Sequence, residues 1–106
     1  MLERDIERWL GEELRKVGFL YFKFVSPSNP GVPDRLVICP DGAVIFVELK
    51  SEKGKLSKQQ EACIKQLTAH GQRVAVVRGM KEASSFLWAL VGFHGFTNGG
   101  AINGEI

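Results

Sequence analysis

Asp34, Glu48 and Lys50 are the residues of this chain whose types and spacing offer chemistry. They lie on two apolar runs, residues 31–38 and 43–50, joined by the tight turn Pro40-Asp41-Gly42. A three-residue loop makes Cys39 face Ala43, and counting back along both strands sets Asp34 directly opposite Glu48. Opposed residues of an antiparallel pair have Cα atoms about 4.5–5.5 Å apart. Two like charges at that distance repel unless something positive sits between them. Lys50 emerges on the face of Glu48, about 6.6 Å along the strand. Carboxylates are hard oxygen ligands that suit Mg²⁺ or Mn²⁺, and the backbone carbonyl of Leu49 offers one more. A metal ion held there would lower the pKa of a water and stabilise charge on a phosphoryl group. Lys50 would position that nucleophile or neutralise the developing charge.

Taken singly, an Asp opening one strand and a Glu-x-Lys closing another are ordinary decoration of a solvated sheet. Here Leu36, Ile38, Val44 and Phe46 share their face, so the charges edge an apolar surface. That setting favours a site over decoration.

The elements that must position these residues follow from periodicity. Residues 2–17 carry Leu2, Ile6, Leu10, Leu14 and Val17 at helical spacing, with Gly18 as the stop. Projected at 100° per residue, Ile6, Leu10, Leu14 and Val17 span an arc of about 80°. Glu3 falls inside it and Glu7 at its margin. Glu3 is thus either a carboxylate directed toward the site or a first-turn acid suited to the helix dipole. Residues 19–25 read as an aromatic-rich strand with Lys23 its only charge. The loop 26–33 delivers the chain to Asp34, its prolines limiting freedom beside that carboxylate.

After the hairpin comes a polar, basic loop, 51–56, and then Ser57-Lys58-Gln59-Gln60, which has the form of a capping box. The helix it opens runs to about His70, before Gly71, with Cys63, Ile64 and Leu67 as its stripe. Gln60 shares that stripe, so capping and a role at the site both stay open. Residues 73–78 form a continuous apolar strand, expected to be buried on both faces and to run parallel to the Glu48 strand. A final amphipathic helix covers about 81–91 and contains Phe86, Leu87, Trp88 and Leu90. A glycine-rich tail, 92–106, follows.

With 106 residues the chain is expected to form one domain and one core. An apolar fraction of 44% with 25% charge is that of an ordinary globular protein. A net charge of +2 does not by itself argue for nucleic acid. Cys39 and Cys63 each sit in an apolar pattern, so buried free thiols in a reducing compartment are expected. No apolar run approaches twenty residues and the N-terminus is charged from Glu3, so no membrane segment and a cytoplasmic location are expected.

Pro33-Asp34, thirteen intervening residues and Glu48-Leu49-Lys50 resemble the signature of the PD-(D/E)XK nucleases. Gly31-Val32-Pro33-Asp34-Arg35, the Asp41-Gly42 turn, Gly54-Lys55-Leu56-Ser57-Lys58-Gln59-Gln60 and the closing Val-rich strand make the resemblance narrower. Over roughly residues 3–78 the chain is similar to VRR-NUC (virus-type replication-repair nuclease) domains, in particular to the small stand-alone members of phages and bacteria. The resemblance implies an α/β restriction-endonuclease-like fold, an αβββαβ core whose mixed central sheet is flanked by helices. It also implies Mg²⁺- or Mn²⁺-dependent phosphodiester hydrolysis, with Asp34 and Glu48 as metal ligands and Lys50 as the catalytic lysine. Glu3 corresponds to the acidic residue of the first helix, with Glu7 one turn away, and Gln60 to the glutamine after the Leu-Ser pair. Small members are implied to be homodimers acting on branched DNA such as four-way junctions.

The leading expectation is therefore a structure-specific DNA endonuclease, with a flap-type, restriction-type or general nuclease as alternatives. A non-cleaving DNA-binding module, using Lys23, Lys53, Lys55 and Lys58 on phosphates, would show salt-dependent binding without turnover. A purely structural ion-pair cluster would bind no divalent metal.

Overall fold

The computed structural model describes residues 2–96. Along the chain these form α1 (Glu3–Lys16), β1 (Leu20–Lys23), β2 (Arg35–Ile38), β3 (Val44–Lys50), α2 (Lys58–Ala69), β4 (Arg73–Arg78) and α3 (Gly79–His94). The first six elements are the expected αβββαβ order, and their strands make one mixed sheet in the order β1-β2-β3-β4. β1, β2 and β3 run antiparallel in turn, and β4 is parallel to β3, as a strand–helix–strand crossover requires.

The short turn fixes the register. The Cys39 amide donates to the Ala43 carbonyl at 2.8 Å, and the pairs Ile38–Val44 through Arg35–Val47 follow. Alternation then separates two faces. Ile45, Val47 and Leu49 join Val37, Val77 and the helical residues Ile6, Leu10, Leu14, Leu87 and Leu90 in the core. Val44, Phe46, Glu48 and Lys50 point to the other face, where α2 lies. Phe46 there meets Phe24 edge to face, ring centroids 5.9 Å apart.

Helix α1 packs on β1, β3 and α3. Gly11, in mid-helix, would ordinarily weaken it by about 1 kcal/mol relative to Ala. A Cβ at Gly11 would stand 2.8 Å from the Tyr21 ring, so the missing side chain lets helix and strand approach. Arg15 then lies over the Tyr21 ring, 5.8 Å from its centroid.

Some expectations change. The strand 73–78 is not buried on both faces: β4 is a sheet edge, and of its residues only Val77 is buried. The stripe of α2 is half-buried, with no fully buried residue, and Cys63 is half-buried while Cys39 is buried. The last helix is longer than 81–91, from Gly79 to His94, so Gly92, Phe93 and His94 are helical and do not belong to a tail. Phe93 and Phe96 are 80% and 72% exposed. The rest of the glycine-rich segment, 97–106, lies outside the described residues. Among the described residues no helix is long and apolar enough to cross a membrane.

The loop before Asp34 is wedged against the first turn of α2. At Gly31, φ is +92° and a Cβ would meet the Gln59 carbonyl oxygen at 2.4 Å. Both the left-handed backbone and the backbone contact exclude a side chain. Gly31→Ala is expected to cost at least about 2 kcal/mol. Urea denaturation monitored by circular dichroism measures the loss.

Candidate metal-ion active site

The backbone of Asp34 is pinned from two sides. Its carbonyl accepts from the Phe24 amide at 2.8 Å and from Arg35 Nη1 at 2.9 Å. Pro33 before it is fully buried, so the approach to Asp34 is fixed by packing as well as by the ring. The Asp34 side chain is 55% exposed. One step beyond the Arg35–Val47 pair, it stands across from Glu48, which is only 8% exposed.

Gln60 reaches that carboxylate. Ser57 and Gln60 form the reciprocal capping box: the Gln60 amide donates to Ser57 Oγ at 3.1 Å, and Gln60 Oε1 accepts from the Ser57 amide at 2.9 Å. The opposite end of the same side-chain amide, Nε2, donates to Glu48 Oε2 at 3.2 Å. One end of the amide therefore caps α2 while the other contacts Glu48. Lys50 Nζ lies 3.9 Å from the same Glu48 oxygen, with its side chain 20% exposed.

Burial, and next the charge of Asp34, push the Glu48 carboxyl above the usual carboxylate range, with Glu3 adding to the rise and Lys50 opposing it. Glu3 is exposed at the start of α1, outside the buried stripe, yet its field reaches Glu48. Glu7 is committed elsewhere: it forms an ion pair with Arg35, whose side chain is only 12% exposed. That pair ties α1 to the strand that follows Asp34. Arg35 as a positioning residue escaped the sequence reading, although a charge inside an apolar strand is itself a sign that a partner is needed.

The structure thus brings Asp34, Glu48, Lys50 and Gln60 together and places Glu3 within their field. Leu49 turns its side chain into the core, leaving its backbone between Glu48 and Lys50. Lys53, Lys55 and Lys58 are exposed on the β3–α2 connection and the first residue of α2. Lys23, also exposed, pairs with Arg35 beside Asp34. An open hollow of about 420 Å³ on the α2 face, lined by Phe24, Pro30, Phe46, Cys63 and Leu67 among others, includes none of the three charged residues of the patch. Oxygen donors whose charges oppose one another, with one ammonium alongside, fit a hard divalent cation.

The family model described as VRR-NUC domain matches residues 4–81. The chain is 43% identical over 88 residues to the protein named "Putative nuclease p44" of Acyrthosiphon pisum secondary endosymbiont phage 1, a match covering 83% of this chain and 94% of that one. A solved VRR-NUC domain superposes with a TM-score of 0.75 at 28% identity, over 86% of this chain and 95% of its own. A VRR-NUC domain protein, at a TM-score of 0.67 and 15% identity over 92% and 97% of the two chains, shares the fold.

The opposed carboxylates carry a stability consequence. In metal-free protein at neutral pH, Asp34→Asn relieves the repulsion on Glu48 and gives up the 3.7 Å ion pair with Arg35. With the Asp34 side chain 55% exposed, solvent screens both, and the net stabilisation is expected to reach at most about 0.5 kcal/mol. That limit corresponds to a thermal midpoint roughly 2–4 °C higher in a domain of this size. Calorimetry without and with Mg²⁺ checks it: the ion should raise the wild-type midpoint more than that of the variant.

Proposed function

Because the chain belongs to the VRR-NUC domain family, we propose that it is a metal-dependent DNA endonuclease that hydrolyses phosphodiester bonds at the Asp34–Glu48–Lys50 patch. The observation that carries this reading is the convergence on one buried carboxylate: Glu48 has Asp34 across the sheet, Lys50 at 3.9 Å and Gln60 at 3.2 Å.

In this reading Asp34, Glu48 and the Leu49 carbonyl hold Mg²⁺ or Mn²⁺, and Glu3 completes the shell or binds a second ion. The bound ion supplies Lewis-acid stabilisation of the phosphoryl oxygens and a water of lowered pKa. Lys50, a compact cation in a partly dry setting, orients the attacking water and offsets charge that develops on phosphorus-bound oxygen. Gln60 is a positioning residue. Its Nε2 fixes the Glu48 rotamer, and its Oε1 is itself held by the cap of α2. Lys23 on one side and Lys53, Lys55 and Lys58 on the other flank the patch and contact phosphates of the substrate.

The substrate is proposed to be branched DNA, four-way junctions above all, cut by a homodimer in the cytoplasm of a bacterium or a phage-infected host. The support for these finer points is the family resemblance. A flap-type, restriction-type or general nuclease would share the same site.

A cleavage assay on linear duplex, flap and four-way junction DNA, with Mg²⁺ and with Mn²⁺, tests both levels of the reading. Lys50→Ala and Asp34→Ala are each expected to reduce cleavage by at least about 10²-fold. Wild-type rates in either variant would overturn the assignment of the site. Gln60→Ala should reduce cleavage by about 10–100-fold. Ser57→Ala removes the cap, about 1 kcal/mol of stability, yet leaves the Gln60–Glu48 contact and should cleave nearly normally. Equal cutting of all three substrates would remove the junction preference and leave a general nuclease.

A further inference from the structure

At the turn end of the β2–β3 hairpin, three side chains of metal-ligating type come together from three places in the fold. Cys39 follows β2, Asp41 sits in the turn, and His94 ends α3. One donor atom from each lies within 4.8 Å of the other two. His94 Nδ1 is 2.7 Å from Asp41 Oδ2, and the other carboxylate oxygen, Oδ1, accepts from the Ala43 amide at 2.9 Å. The turn is rigid where it carries them: Cys39 bonds Ala43 through its amide and Gly42 through its carbonyl, both at 2.8 Å. Glu48 lies five residues further along β3 than Ala43, about 17 Å at the usual strand rise, so this cluster is separate from the carboxylate patch.

We propose that Cys39, Asp41 and His94 form a second metal site, one for Zn²⁺ or a similar borderline-soft divalent transition metal. The inference goes beyond the nuclease reading and does not depend on it. The donor set selects the ion: a thiolate and an imidazole disfavour Mg²⁺ and Mn²⁺ and suit Zn²⁺ and Co²⁺. Zn–S of about 2.3 Å and Zn–N or Zn–O of about 2.0 Å put tetrahedral donor atoms roughly 3.3–3.6 Å apart. Donors already within 4.8 Å of one another need about 1 Å of adjustment to reach that spacing. Three protein ligands leave a fourth position for water. The charges suit a dication: thiolate and carboxylate together balance Zn²⁺, and the ion must displace the proton of a thiol that burial, and next the charge of Asp41, push up to about 11 in the free protein. Binding exchanges the thiol proton for the metal.

The site would give α3 a fastening that the family segment lacks. The matched region ends at residue 81, whereas His94 is at the far end of α3. A metal held between His94 and the hairpin turn locks that helix over the sheet.

Chelator-stripped full-length protein titrated with Co²⁺ tests the proposal. One equivalent should give a thiolate-to-cobalt charge-transfer band and the intense visible bands of four-coordinate Co²⁺. Zn²⁺ should bleach both. Zn²⁺ at a hundredfold over its Kd should raise the thermal midpoint by on the order of 10 °C. Cys39→Ser and His94→Ala should abolish the bands, while Cys63→Ser and Asp34→Asn should keep them. His94 is half-buried at the C-terminal end of α3, whereas Cys39 is in the core, so the His94 variant serves where Cys39→Ser fails to fold. Absence of a thiolate band at millimolar Co²⁺, or a band that follows Cys63, would overturn the site and leave His94–Asp41 as a hydrogen bond between helix and turn.

Discussion

Two carboxylates facing each other across neighbouring strands are an electrostatic cost, and the rest of this structure is arranged to hold them there. The register of β2 and β3 sets Asp34 opposite Glu48, and burial of Glu48 sharpens the conflict. A single-residue slip would end it by turning one of them to the other face of the sheet, but would also carry Val37 or Val47 out of the core. The hydrophobic pattern therefore enforces a charge arrangement that the charges themselves oppose. Lys50 and the Gln60 amide offset part of the cost, and neither supplies the compact double charge that would remove it.

Each flank of the hairpin is fastened by a different device. On the α1 side the Arg35–Glu7 ion pair and the close approach over Gly11 fix the helix against the strands. On the α2 side the capping box orients the first turn of the helix, and Gly31 lets the loop before Asp34 press against Gln59. The second arrangement couples a local rule to a distant contact. Gln60 can aim Nε2 at Glu48 because its Oε1 is already satisfied by Ser57.

These couplings explain what could be read from the sequence. Turn length and strand alternation are local, so the register, the Asp34–Glu48 opposition and the face of Lys50 followed from residues 31–50 alone. The capping box was equally visible in Ser57 and Gln60. Its second use was not, because the Glu48–Gln60 contact depends on how α2 lies on the sheet. The same limit applies to β4: an unbroken apolar run looks doubly covered, yet its place at the sheet edge is decided by topology. Gly92 misled in another way. A glycine ends a helix when the backbone turns left-handed, and among the glycines with positive φ Gly92 is absent, so α3 continues to His94. Glu3 and Glu7 were close on the helical projection, and only the partner of Arg35 separates them.

Helix α3 shows how far the fold of this chain extends past its family segment. Ala83, Leu87 and Leu90 are buried in the same core as Leu49 and Val77, the core-facing residues of β3 and its parallel neighbour β4. Burying a Leu side chain contributes about 1.5–3 kcal/mol. Losing two of them from one helix would consume a large part of the stability of a domain this size. Helix α3 packs on α1 and β4, so the strand that presents Glu48 and Lys50 shares its core with residues that lie beyond position 81. Rigidity at the patch depends on a helix with no chemistry of its own there, and whatever holds that helix to the sheet also holds the carboxylates in opposition.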